Sequence, residues 1–130
     1  MKQYLVSSII LFVIVAVASV ISRHMGWYSD YWFTDIILHT ISGVALGLAW
    51  MGITKQESVI LKVAGAMSFA SFGSVLWEFW EFAGWRIMPT HTQFYIPELA
   101  DTLGDICCGM IGGFVVSLIV VLFTNRRRES

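Results

Sequence analysis

Charge is what this chain has least of. Only 13% of its 130 residues are Asp, Glu, Lys or Arg, against about 25% in a soluble domain. With 57% hydrophobic residues and a net charge of −1, that scarcity excludes a soluble globular domain and leaves no basic surface for nucleic acid. The composition is that of an integral membrane protein. Proline is nearly absent: Pro89 and Pro97 are the two, both inside one polar stretch. Cysteine is confined to the adjacent pair Cys107 and Cys108, which cannot staple distant elements and reads as two small packing residues. No internal repeat and no low-complexity run is present.

What is there is apolar length. Four segments are long enough to cross a hydrocarbon core, and they predict helices over about 4–22, 35–53, 57–83 and 102–123. The expected fold is an all-α, four-helix transmembrane bundle, one domain over residues 1–130. An uncleaved first helix is the favoured reading of Tyr4 to Ser22, because the apolar run continues past Ala16-Val17-Ala18. That triplet fits a small-residue cleavage site, so a removed signal peptide is the rival. Arg23 to Thr34 reads as a loop whose aromatics form an interfacial belt. Gly43 and Gly47 make a small-xxx-small face on the second helix. Gly52 to Gln56 reads as a tight turn, with Thr54 and Glu57 fitting a capping box. Trp85 to Ala100, holding both prolines, is long enough to lie over the helix ends as a flap.

Orientation follows from the basic residues near the helix ends. One side would carry Lys2, Lys55, Lys62, Arg126, Arg127 and Arg128; the other, Arg23 and Arg86. Both termini are therefore expected in the cytoplasm.

The few charges fall in pairs. Asp35 and His39 are i,i+4 neighbours on the second helix, Glu78 and Glu81 are i,i+3 on the third, and Asp101 and Asp105 are i,i+4 on the fourth. All six are expected near the outer interface. Asp35 gains from the dipole of a helix first turn, and Thr102 to Asp105 fits a capping box. Glu78 and Glu81 have no such account: just before Gly84 and Pro89, they read as the end of a helix, where the dipole opposes carboxylates. His39 lies inside its helix with no cap to serve. Membrane-embedded acids usually face a partner or a cavity. Relief here would come from protonation, from Arg86 or Arg23, or from a bound cation. A divalent ion, Mg, Mn, Ca or Zn, suits carboxylates with one imidazole.

Three motifs in order carry a family resemblance. Asp35-Ile-Ile-Leu-His39-Thr-Ile-Ser-Gly43, then Trp77-Glu78-Phe-Trp-Glu81, then Asp101-Thr102-Leu-Gly-Asp105 with Gly112-Gly113 resemble the YjdF-type predicted inner-membrane proteins. More distantly they resemble the VanZ-like family, linked to glycopeptide-antibiotic resistance. The resemblance implies four or more helices and an outward-facing polar site. It implies no reaction.

Three functions are open at this point. In the first, Asp35, His39, Glu78 and Asp105 hold a metal that acts on an envelope lipid or lipid-linked substrate at the cell membrane, with Glu81 or Asp101 as general base. The second is a cation-binding or transport protein, for which only Ser42, Ser71 and Ser74 offer a polar route onward. The third is a structural accessory subunit whose acids only orient helices. Whether the chain is an enzyme is left open, and self-association is compatible with all three.

Overall fold

A computed structural model describes residues 2–55, 58–87 and 99–129. Five helices follow one another: α1 Lys2–His24, α2 Trp27–Asp30, α3 Phe33–Ile53, α4 Val59–Ile87 and α5 Leu99–Glu129. Among the described residues there is no strand. Four helices are long and apolar enough to cross a membrane: Lys2–His24, Phe33–Ile53, Val59–Gly84 and Leu99–Thr124.

The four long helices each exceed the length that the apolar runs alone predict, and one short helix is new. Gly26 ends α1 in the left-handed conformation at φ 73°, which a residue without a Cβ adopts at no steric cost. The chain then turns through α2, which the sequence reads as loop, and the Thr34 hydroxyl donates to the Trp27 carbonyl at 3.3 Å. At the other end of α3, Thr54 is the cap residue and its N–H donates to the Trp50 carbonyl at 2.8 Å. Residues 56 and 57 lie outside the described set, and with them the expected capping box at Glu57. So does the centre of the expected flap, residues 88–98.

Two corrections bear on the site. α4 runs through Gly84 to Ile87, so Glu78 stands nine residues from its end. The dipole acts only over the last turn, so it no longer opposes that carboxylate. α5 begins at Leu99, so Thr102 is inside the helix and does not cap it. The capping-box account of Asp105 falls away.

The bundle is organised around α3, which packs against α1, α4 and α5, while α4 and α5 also pack on each other. Its interior is made of small residues. Ala45, Ala66, Ala70 and Ser117 are fully buried, whereas Ile9, Val13, Val17 and Phe72 are more than half exposed. That inversion is what a lipid solvent permits, since apolar side chains lose nothing by facing the tails and small residues let backbones approach. The α3–α5 seam shows the approach most closely. A Cβ at Gly43 would overlap the Gly109 backbone, and one at Gly112 would overlap the Thr40 carbonyl.

α1 is the exception. It packs on α3 and touches α2, and among the described residues no Cα of α1 comes within 8 Å of α4 or α5.

Candidate functional site

The site grows from the α3 register. Asp35 and His39, one turn apart, face the same way, and the His39 ring is 4% exposed. The glycine seam below them brings α5 close, and Asp105 arrives beside His39. α4 supplies Glu78 from the third direction. The result is one imidazole nitrogen among three carboxylates from three helices. His39 Nε2 lies 3.4 Å from Asp35 Oδ1, 3.8 Å from Glu78 Oε1 and 3.8 Å from Asp105 Oδ2.

None of these separations is a good hydrogen bond, which needs about 2.7–3.2 Å. They are ion-pair distances between the ring nitrogen and each carboxylate. One ligand atom each from Asp35, His39 and Asp105 can be chosen so that all lie within 4.8 Å of one another, close enough to hold a metal ion. Glu78 is held in place by a residue the sequence misassigns: the Thr102 hydroxyl donates to Glu78 Oε2 at 3.0 Å. The other oxygen, Oε1, is buried with no hydrogen-bond partner among the described residues.

The remaining acids stand apart from this centre. Glu81 Oε1 accepts from Arg23 Nη2 at 3.2 Å, both side chains about a fifth exposed. Of the two candidate cations, Arg23 of α1 is therefore the one placed on Glu81. Arg86 lies over the Phe82 ring, 5.8 Å from its centroid. Asp101 is exposed in the first turn of α5. Tyr28, outside the spans, lies beneath Arg23, whose guanidinium carbon is 5.8 Å from the ring centroid. Burial pushes the Tyr28 phenol up from its usual range, so it is a neutral hydroxyl at neutral pH.

Two features escape the sequence reading. Thr102 has a motif that fits a cap equally well. α1 carries an inward stripe of Ser8, Ser19 and Ser22, all buried; their spacing within an otherwise apolar helix is the signal that could have found it. Cys107 is exposed and Cys108 half-buried, both free thiols, so only the second can act as a packing residue.

Beside the polar centre is a cavity of about 100 Å³ between α1, α3 and α4, whose wall includes Asp35 and His39.

No curated protein and no solved structure matches the chain. A family model described as a predicted membrane protein family, DUF2238, matches residues 4–126. The match takes in all three motifs and agrees with the YjdF-type resemblance. On that coverage, the chain belongs to the DUF2238 family of predicted membrane proteins.

Proposed function

We propose that this protein binds a divalent metal ion between α3, α4 and α5, and that the ion serves chemistry on an envelope lipid or lipid-linked substrate at the extracytoplasmic face of the cell membrane. The observation that carries the reading is the convergence of Asp35, Glu78 and Asp105 on His39 Nε2 at 3.4–3.8 Å. A buried and unpartnered Glu78 Oε1 supports it, since such an atom costs free energy unless something satisfies it.

The donor set also bears on the ion, since calcium prefers an all-oxygen shell. A single imidazole among carboxylates favours zinc, with manganese next. Such an ion would polarise a phosphate or carbonyl oxygen and lower the pKa of a water. Asp101 or Glu81 would take the proton. Glu81 already accepts from Arg23, so its use requires that pair to open. The excess of basic residues near one set of helix ends supports termini in the cytoplasm and this site outside.

Transport is less well supported. Below the site, Ser42 donates to the His39 carbonyl and Ser71 to the Met67 carbonyl. Two of the three hydroxyls fold back on their own helices, and Ser74 Oγ has no hydrogen-bond partner among the described residues, so no hydrogen-bonded route joins the three.

Elemental analysis of protein purified without chelator tests the reading. One ion per chain is expected. Protein with no stoichiometric metal, and with stability indifferent to added Mg, Mn, Ca and Zn, would overturn it.

A further inference from the structure

The ion pair between Arg23 and Glu81 joins α1 to α4, two helices whose backbones make no close approach among the described residues. Each packs on α3 instead.

The place of the pair follows from helical register. Ser19 of α1 and Trp77 of α4 line the cavity between those helices. Arg23 and Glu81 are each four residues further on, so they stand on the same faces, about 6 Å nearer the helix ends. Both lining stripes therefore run outward into a charge, and the pair spans that end of the cavity. Tyr28 marks the same end from α2. It lines the cavity, and the Arg23 guanidinium lies over its ring, 5.8 Å from the centroid. Bonded to Glu81 at 3.2 Å and resting on Tyr28, the guanidinium crosses the opening.

Behind it the cavity leads to the polar centre. Asp35 and His39 form part of its wall, and its volume of about 100 Å³ is room for several waters. The glycine seam closes the α3–α5 side of the cluster, whereas the cavity reaches its α1 side. The strength of the closure suits a gate. Both charged side chains are about a fifth exposed, and such a pair is held weakly. It can open and close again while α1 stays on α3.

We propose that the Arg23–Glu81 pair is a latch over an entry chamber. Closed, it shuts the cavity to water-borne solutes; open, it admits them to Asp35 and His39. Opening also frees the Glu81 carboxylate at the chamber's end. That the latch serves a divalent ion rests on the metal reading of the His39 cluster; closure of the chamber does not.

Labelling of a cysteine inside the chamber tests this. Ser42→Cys, on the cavity wall, is placed in a background with Cys107 and Cys108 replaced. The full chain in detergent is treated with sulfonatoethyl methanethiosulfonate, an anionic thiol reagent confined to water. Ser58→Cys, exposed just before α4, is the open reference. Ser42→Cys should react on the order of tenfold more slowly, because it is reached only when the chamber opens. Arg23→Gln and Glu81→Gln should each raise its rate about fivefold, equivalent to about 1 kcal/mol and the size of a part-exposed pair. Charge alone acts differently: loss of Arg23 slows an anionic reagent and loss of Glu81 speeds it. Without the reporter cysteine, zinc-loaded protein should release its ion to EDTA about fivefold faster in both variants.

Ser42→Cys reacting as fast as Ser58→Cys overturns the proposal, and that result needs neither pair variant to fold. Rates that move in opposite directions in the two variants, or in neither, overturn it as well. Failure of the metal reading looks different: no zinc to release, with labelling still quickened by both variants.

Discussion

Thr102 Oγ1 donates a hydrogen bond to Glu78 Oε2 at 3.0 Å, across the contact between α5 and α4. It fixes one carboxylate oxygen and turns the other toward His39. On the proposed metal reading, Thr102 would be the outer partner that orients Glu78 as a ligand. Thr102→Val removes the donor and keeps the shape. Metal affinity should fall about 10–100-fold, the usual effect of losing such a partner. Thr102→Ser should keep it. Titration of metal-stripped protein with zinc measures both, and equal affinities for the two variants would contradict the orienting role.

On the proposed metal reading, His39→Ala and Glu78→Gln should each lower bound metal, and the double variant should lose little more than either single, because both would act through one ion. Elemental analysis of the four proteins completes the cycle. Fully additive losses would mean two independent sites.

The glycine seam predicts opposite outcomes for the same substitution. Gly43→Ala and Gly112→Ala place a Cβ into facing backbone, and overpacking of this kind costs about 1–3 kcal/mol or more. Among the described residues, a Cβ at Gly104 meets nothing within 4 Å. Gly104→Ala should be neutral or stabilise by roughly 0.5–1 kcal/mol, since glycine is a poor residue inside a helix. Thermal unfolding in detergent reads the sign of each.

Arg23 and Glu81 should be coupled, by about 1 kcal/mol for a pair that is still partly exposed. A double-mutant cycle with Arg23→Gln and Glu81→Gln measures it. Arg86→Ala combined with Glu81→Gln is the comparison, and a stronger coupling there would mean the ion pair has been assigned to the wrong arginine.

Cysteine labelling checks the orientation. In a background with Cys107 and Cys108 replaced, a Cys at position 55 should react only from the cytoplasmic side and one at position 92 only from outside. The reverse pattern would move the polar site to the cytoplasm.

Much of the architecture is legible in the sequence because a membrane imposes length. Four apolar runs become four spans, and pairs such as Asp35 and His39 share a face by helical period alone. What is not legible depends on where helices end and which ones meet. A Thr-x-x-Asp run looks the same at a helix start and one turn inside it, so Thr102 reads as a cap until Leu99 is seen to open α5. Gly84 looks like a stop, yet glycine is common within membrane helices, and α4 passes through it. Arg86 is near Glu81 in the chain, but Arg23, 58 residues away, is its partner in space. Periodicity carries no information on such a pairing.

The position of α1 has a consequence for how the protein is made. Chains enter the membrane from the N-terminus, at about 5–20 residues per second, so α1 enters before α3, α4 and α5. Its backbone packs on α3, and among the described residues its Arg23–Glu81 ion pair reaches α4 without any close backbone approach to α4 or α5. The tight seam joins α3 to α5, the last helix to arrive. Until α5 is in place, His39 and Glu78 sit in the bilayer without Asp105 or the Thr102 hydroxyl. The nascent protein therefore carries unmatched polar groups through most of its synthesis, and completion of the final helix is the event that buries them together.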